Sequence, residues 1–266
     1  MNSIKHIIAV ASGKGGVGKS TTAVNIALAL KQRAQTVGLL DADIYGPSQQ
    51  LMLGVEESRR PEQRENMLVP VSAHGLETMS MGYLVTERTP MVWRGPMAGG
   101  ALQQMLEQTD WGDLDVLVID MPPGTGDIQL TLSQKAKVAG AVIVTTPQDI
   151  ALLDARKGLE MFTKVGVKVL GIVENMAVHV CSQCGHREHI FGAEGGQRIA
   201  ADYGVDLLGS LPLSLTIREQ TDAGQPTVVA APDSAEAQAY LAIADAILAG
   251  LDEEAPAAPE ILISDD

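Results

Sequence analysis

A glycine-rich segment with two lysines stands directly after the first apolar run of the chain. It reads Gly13-Lys14-Gly15-Gly16-Val17-Gly18-Lys19-Ser20 and matches the pattern G-x-x-x-x-G-K-[ST]. The glycines of this pattern let backbone N–H groups point at phosphate oxygens, and the following helix start adds positive potential. We expect Lys19 to neutralise the β and γ oxygens of a nucleotide and Ser20 to offer its hydroxyl to Mg²⁺. The predicted nucleotide-binding residues of this loop are Gly13, Gly15, Gly16, Val17, Gly18, Lys19, Ser20 and Thr21.

Aspartates follow two further apolar runs. Asp41 and Asp43 come directly after Leu39-Leu40, and Asp120 ends Val116-Leu117-Val118-Ile119. Parallel strands bring their carboxyl ends to one edge of a sheet, where ligands bind. A phosphate loop needs carboxylates there to hold Mg²⁺ and to orient water. The three acids are therefore candidates for a magnesium–nucleotide site.

Apolar runs and helical segments alternate along the chain and predict the fold that positions these residues. The predicted strands are 5–11, 36–41, 76–80, 114–120, 140–146, 168–174 and 206–210; the predicted helices are 20–33, 97–108, 149–164, 192–203 and 234–250. Several runs are apolar throughout, which is typical of strands buried on both faces. The alternation predicts an α/β fold of three layers, a mostly parallel sheet covered by helices on both faces.

The predicted domain organisation is simple. We expect one P-loop domain over residues 1–250, with an exposed loop at 54–66 and a cysteine-containing insertion at 177–190. The last residues, 251–266, are acidic and rich in Pro and Ala, which predicts a disordered tail.

Composition narrows the possible partners and compartments. The 266 residues carry a formal net charge of −14, which disfavours binding to nucleic acid or to an anionic membrane. Aromatic residues make up 3% of the chain, too few for base-stacking platforms. The two cysteines, Cys181 and Cys184, are too close for a structural disulfide, and no apolar run could span a bilayer. We expect a cytoplasmic protein.

The phosphate loop resembles that of the deviant Walker A class of P-loop ATPases, which includes nitrogenase iron protein, the MinD/ParA ATPases and the Mrp/ApbC iron–sulfur carriers. The second lysine of the loop, Lys14, carries this resemblance. It implies a nucleotide-sandwich homodimer in which Lys14 reaches the partner's ATP, with Lys14, Lys19 and Asp43 as catalytic residues.

The same resemblance assigns the remaining site residues. Asp120 acts on Mg²⁺ through water, and Asp43 positions the attacking water. Asp41 holds the groups that bind the metal and does not bind the metal itself. It places an adenine-reading amide at Asn175, and the sequence has no N-K-x-D motif, which favours ATP over GTP. Residues 121–127 resemble a segment that moves around the γ-phosphate.

The cysteine pair leaves three interpretations open. A two-residue gap lets both sulfurs of Cys181 and Cys184 face one metal or cluster, but structural zinc and iron–sulfur sites each need four protein ligands. His186 and His189 could complete a zinc site, or the pair could be a thiol–disulfide centre. A symmetric dimer would instead supply four cysteines for one bridging [4Fe–4S] cluster, and we favour this because the phosphate loop already implies such a dimer.

Several longer segments are similar to the Mrp/ApbC branch, also called iron–sulfur cluster carriers, over residues 4 to about 250. They are C-x-x-C-G-H-x-x-H-I-F-G from Cys181, 41–48, 121–127 and 217–224. The resemblance implies an ATPase that binds a labile [4Fe–4S] cluster between subunits and passes it to apoproteins. Two alternatives are an ATP-dependent positioning switch of the MinD/ParA kind and a P-loop ATPase with a structural zinc clasp. The acidic C-terminus disfavours the switch, which needs a basic helix or lysine patch.

Overall fold

The computed structural model describes residues 4–84 and 95–252. Eight strands form one central sheet in it. Its strands are β1 (Ile4–Ala11), β2 (Val37–Asp41), β5 (Val71–Ala73), β6 (Leu76–Ser80), β7 (Leu114–Asp120), β8 (Gly140–Thr145), β9 (Val169–Glu174) and β12 (Leu207–Ser210). Two short hairpins lie outside it: β3 (Gln63–Arg64) with β4 (Met67–Leu68), and β10 (His179–Val180) with β11 (Arg187–Glu188).

The strand order is β12-β9-β8-β1-β7-β2-β6-β5. Within the described sheet every neighbouring pair is parallel except β5 with β6 at one edge. The strand β1 lies between β7 and β8. The chain runs from β1 to β2 on the β7 side, and it later crosses from β7 to β8 on the other side of β1. Such a point opens a crevice beyond the carboxyl ends of the strands.

Helices cover both faces of the sheet. They are α1 (Lys19–Gln32), α2 (Gln49–Met52), α3 (Gly95–Glu107), α4 (Asp127–Lys135), α5 (Asp149–Lys164), α6 (Gly195–Tyr203), α7 (Leu215–Asp222), α8 (Thr227–Ala230) and α9 (Ala235–Asp252), with a 3-10 turn at Met81–Tyr83. The two apolar cores show the layering: Ile8 and Val10 pack into the core under α1 and α9, whereas Ile7 and Ala9 pack into the core under α3 to α6. The three-layer α/β fold is confirmed.

Some elements differ from the sequence prediction. The strand β5 and the helices α4 and α7 were not predicted, because each is short and lacks an apolar run of its own. The 177–190 insertion holds the β10–β11 hairpin, and the predicted loop at 54–66 contains β3. The helix α9 continues to Asp252, two residues into the predicted tail; the rest of that tail, 253–266, lies outside the described residues.

Candidate functional site

A cleft of about 230 Å³ opens at the carboxyl ends of β1, β2 and β7. It brings together most of the predicted loop residues with Lys14 and Asp43. Its lining residues are Ser12, Lys14, Gly15, Gly16, Gly18, Lys19, Ser20, Thr21, Asp43, Ser48, Met52 and Pro123. Gly13 and Val17 do not line it: a Cβ at Gly13 would lie 2.1 Å from the Asp154 carbonyl oxygen of α5, and Val17 is buried below the loop.

The loop turns into α1 through a glycine in the left-handed region. Gly18 caps the helix with φ +79°, and its carbonyl accepts hydrogen bonds from the backbone N–H and the hydroxyl of Thr22. A Cβ at Gly18 would lie 2.2 Å from Asn175 Nδ2, so a larger residue has no room there. The first turn of α1 therefore presents its free N–H groups to the cleft, as phosphate binding requires.

Lys19 is paired with Asp120 at the base of the cleft. Its ammonium donates to Asp120 Oδ1 and, at 3.1 Å, to the Ser20 hydroxyl. Both partners of the ion pair are buried, with side chains 6% and 0% exposed. The other carboxylate oxygen, Oδ2, accepts a hydrogen bond of 2.8 Å from Gln49 Nε2. A phosphate that enters the cleft must therefore compete with Asp120 for the lysine.

Asp41 lies beside Asp120 in the sheet, since the two residues are paired in the β2–β7 register. Its Oδ2 accepts from the Ser48 N–H, the Gln49 N–H and the Ser80 hydroxyl, each at 3.0 Å, and its Oδ1 accepts from the Asp43 N–H at 3.2 Å. Burial raises the pKa of Asp41 to about 7, and repulsion from Asp120 acts in the same direction. The carboxylate thus holds the loop that carries Asp43 and Gln49.

Asp43 is half-buried and lines the cleft. Its Oδ1 accepts from the Gly46 N–H at 3.3 Å, which fixes the turn that follows. Burial raises the pKa of Asp43, and the nearby charge of Lys19 opposes that rise. A carboxylate in this position can accept a proton or a hydrogen bond from a water molecule in the cleft.

The oxygen groups at the base of the cleft suit a hard divalent cation. They are the hydroxyl of Ser20 and the carboxylates of Asp43 and Asp120. The Gln49 amide contacts Asp120 through Nε2, and its Oε1 is buried without a hydrogen-bond partner among the described residues. The described part of the chain holds no cluster of three or more His, Cys, Asp or Glu that could bind a metal ion. This donor set fits Mg²⁺, which keeps several waters and shares its other contacts with phosphates.

The predicted moving segment borders the same cleft. The Gly124 N–H donates to the Ser12 carbonyl at 3.0 Å, and Gln129 of α4 donates to the Pro123 carbonyl at 2.8 Å. Pro123 itself lines the cleft. The middle of the segment 121–127 is thus tied to the residue that follows β1 and to α4.

Asn175 lies beneath the phosphate loop and does not line the cleft. Its Nδ2 donates to the Val17 carbonyl at 2.8 Å, and its Oδ1 accepts from the Met176 N–H at 3.0 Å. The backbone N–H of Asn175 donates to the Thr145 carbonyl at 2.7 Å. The amide therefore supports the loop in this structure, and its contact with adenine stays a prediction.

The cysteines occupy the turn of the β10–β11 hairpin. The Cys181 N–H donates to the His186 carbonyl at 2.9 Å, and the Gly185 N–H donates to the Cys181 carbonyl at 2.8 Å. Cys184 is exposed and Cys181 is half-exposed, and both thiols are free. Hydrogen bonds from the backbone of Gln183 and Cys184, and from the Cys184 thiol, lower the pKa of Cys181. The lowered pKa increases the thiolate fraction of Cys181, and the thiolate is the form that binds metals.

The histidines of the hairpin do not join the cysteines in one group. His189 Nδ1 lies 2.7 Å from the Ala177 carbonyl, so this ring nitrogen donates to the backbone. Among the described residues no third metal-binding side chain stands with the thiols. The zinc site built from one chain, considered above with His186 and His189, is therefore not assembled here.

Gln49 is the functional candidate that sequence reasoning missed. Glutamine is not a usual metal or phosphate ligand, and nothing in its spacing marks it. Its position depends on Asp41, which holds its backbone N–H, and on the adjacency of β2 and β7. The register of two strands predicted to end in acids is the one signal that could have pointed to it.

A phosphate loop between a central strand and the first helix, with an acid at the end of a neighbouring strand, defines a P-loop NTPase. A family model described as an NUBPL iron-transfer P-loop NTPase of the ParA group matches residues 3–248. The chain belongs to this family.

Relatives over most of the chain carry related names. An iron-sulfur cluster carrier protein of Pseudomonas fragi is 64% identical over 91% of this chain and 84% of its own length. One from Escherichia coli K12 is 59% identical over 94% of this chain and 68% of its own. The mouse iron-sulfur cluster transfer protein NUBPL is 54% identical over 92% of this chain and 77% of its own.

Solved structures share the fold. A nucleotide-binding protein from Archaeoglobus fulgidus, in complex with ADP, has a TM-score of 0.75 and 37% identity, over 84% of this chain and 88% of that one. The cell division ATPase MinD of Pyrococcus furiosus has a TM-score of 0.69 and 24% identity, over 92% of this chain and 98% of that one, and shows the fold alone. None of the helices in the described ranges has the length and apolar character needed to cross a membrane.

Proposed function

We propose that this protein is an ATP-hydrolysing carrier that holds a labile [4Fe–4S] cluster between two copies of the chain and passes it to apoproteins. The observation that carries the proposal is the hairpin at Cys181 and Cys184: two free, solvent-accessible thiols in one turn, with no further ligand beside them in the described chain. A [4Fe–4S] cluster needs four cysteines, and a two-fold dimer supplies two pairs. The relatives' names, cluster carrier and cluster transfer proteins, support the cargo.

The nucleotide half of the proposal rests on the cleft. Lys19, Ser20 and the first N–H groups of α1 bind the phosphates, and Asp43 orients the attacking water. We assign Mg²⁺ to Ser20 and, through water, to Asp120; it would polarise the phosphate oxygens. Lys14 completes the site of the second copy in the dimer, where its charge stabilises the transferring phosphoryl group. The ADP-bound Archaeoglobus structure supports nucleotide binding in this fold.

Residues 175–177 connect the phosphate loop to the cysteine hairpin, so binding or hydrolysis of ATP at the loop would influence the cluster at the hairpin. Asn175 holds the Val17 carbonyl of the phosphate loop, and Ala177, two residues further on, accepts from His189 at the far side of the hairpin. Met176 between them has φ +57°, an unusual value for a non-glycine residue. A shift of the phosphate loop would therefore reach the hairpin through three consecutive residues.

Iron binding tests the cluster directly. Protein reconstituted without oxygen, with ferrous iron and sulfide, should hold about four irons per two chains and show the broad visible absorption of an iron–sulfur cluster. Cys181→Ala and Cys184→Ala should each abolish iron binding and leave ADP binding unchanged. Ser182→Ala is the matched control, because Ser182 is exposed in the same turn and supplies no thiol.

Three results would overturn the proposal. They are iron retained by both cysteine variants, zinc in place of iron in the purified and reconstituted protein, and a cluster on a monomer in solution.

A further inference from the structure

The buried side-chain amide of Gln49 lies between Asp120 and the backbone of Ser20, close to the base of the cleft. Its Nε2 lies 2.8 Å from Asp120 Oδ2 and 3.0 Å from the Ser20 carbonyl oxygen. Both neighbours are acceptors, so only the NH₂ end of the amide can face them. The orientation of the side chain is thereby determined, and the residue is 1% exposed.

The backbone of Gln49 is held as firmly as its side chain. Its N–H donates to Asp41 Oδ2 at 3.0 Å, at the first residue of α2. The side chain is thus fixed at both ends, by one acid through the main chain and by another through the amide.

The amide oxygen of Gln49 has no hydrogen-bond partner in the part of the chain that the structure describes. Gln49 Oε1 is buried and makes no hydrogen bond with any described residue. A buried acceptor without a donor is unfavourable, and native structures satisfy nearly all of them. The orphaned oxygen belongs to the amide whose Nε2 contacts Asp120, one of the groups that fit Mg²⁺, and that ion retains water ligands that can donate hydrogen bonds.

We propose that Gln49 is a positioning residue for the magnesium–nucleotide complex: its Nε2 fixes the orientation of Asp120, and its Oε1 accepts a hydrogen bond from a water of the magnesium ion. The inference rests on the nucleotide half of the proposed function and not on the cluster. In the structure Lys19 occupies Asp120 Oδ1, and Gln49 occupies Oδ2. When a phosphate draws Lys19 away, Oδ1 becomes free while Gln49 still holds Oδ2.

The test compares ADP binding with excess Mg²⁺ and with excess EDTA, using the full chain. The ratio of the two dissociation constants is the magnesium gain. Gln49→Met keeps the volume of the side chain and removes both polar atoms. We expect the magnesium gain to fall about fivefold or more, the effect of losing one to two hydrogen bonds, while affinity in EDTA stays within about twofold of the original.

Gln50→Met is the matched control. Gln50 is adjacent in the sequence, but its amide donates to the Glu56 carbonyl at 3.0 Å, away from Asp120. It should leave the magnesium gain unchanged. In an Asp120→Asn background, Gln49→Met should have little further effect on the gain, because the two residues act as a unit.

A general structural defect would lower affinity equally in Mg²⁺ and in EDTA, and that result would overturn the inference. So would an unchanged magnesium gain in Gln49→Met. If Gln49→Met does not fold, Gln49→Asn, one methylene shorter, takes its place and should also lose the gain; an unchanged gain there would refute the inference. Failure of the original protein to bind ADP at all would instead refute the proposed function.

Discussion

Replacing Gly18 by alanine probes the contact that joins the phosphate loop to Asn175. The new Cβ would lie 2.2 Å from Asn175 Nδ2, so the amide must move and its 2.8 Å hydrogen bond to the Val17 carbonyl is lost. Gly16 offers a matched control. Its φ of +82° is close to the +79° of Gly18, and nothing lies within 4 Å of a Cβ placed there. The two substitutions therefore share the backbone strain and differ in the contact.

The expected difference in stability follows from the energy terms that the two substitutions share and the one that they do not. An alanine in the left-handed region costs about 1–2 kcal/mol, and this applies at both positions. The gain from a less flexible unfolded chain, about 0.4–1 kcal/mol, is also common to both. Loss of a buried hydrogen bond adds about 1–3 kcal/mol at Gly18 alone. We expect Gly18→Ala to be less stable than Gly16→Ala by about 1–3 kcal/mol.

Urea unfolding of nucleotide-free protein, followed by circular dichroism, measures this difference. The same comparison in an Asn175→Ala background separates the causes. Once the amide is gone, Gly18→Ala should cost only the strain, so the difference between the two glycine positions should disappear. Equal losses at Gly16 and Gly18 in the original protein would refute the reasoning, and so would a difference that survives Asn175→Ala.

Three further substitutions test other contacts. Lys19→Ala should abolish ATP hydrolysis, measured as phosphate release, because the ammonium faces the cleft; turnover in a folded variant would contradict the site. Asp41→Asn should lower the free energy of unfolding by about 1–3 kcal/mol, since an amide accepts on one side only; an unchanged urea midpoint would contradict its role in holding the loop. Lys5 and Thr36 hold the pKa of Asp115 below its unfolded value, so the stabilisation by this carboxylate is complete at neutral pH and is lost in acid. Asp115→Asn should destabilise the fold at pH 7, and the difference should shrink as the pH falls below about 4, the pKa of an unfolded aspartate. A pH-independent difference would contradict the pairing.

The sequence predicted the sheet well because its central strands are apolar on both faces. Val116 to Ile119 is such a run, and β7 is buried along it. The prediction that Asp41 and Asp120 lie at one edge of the sheet agrees with the structure, where they are paired in the register of β2 and β7. The edge strand β5 is different: Val71–Ala73 is three residues long, and Ser72 is exposed, so its pairing with β6 depends on tertiary contacts.

The site was predictable only where residue type and spacing determine the chemistry. The glycines and lysines of the loop form such a pattern, and the structure brings most of them to one cleft. Asn175 shows the limit. Its place at the end of β9 was visible in the sequence, but its hydrogen bond to the Val17 carbonyl arises from the packing of β9 and β8 behind the loop. No local pattern encodes that contact.

The charges at the base of the cleft explain why nucleotide and metal should bind together. Asp41 and Asp120 are both fully buried and adjacent, and Lys19 is the cation that contacts Asp120. Asp41 is compensated by four hydrogen bonds, but Asp120 depends on Lys19 and on one amide. A phosphate that takes Lys19 for itself leaves a buried carboxylate without its counter-ion, which is costly. A divalent cation entering with the phosphate restores that compensation, so nucleotide without metal should bind more weakly than the complete complex.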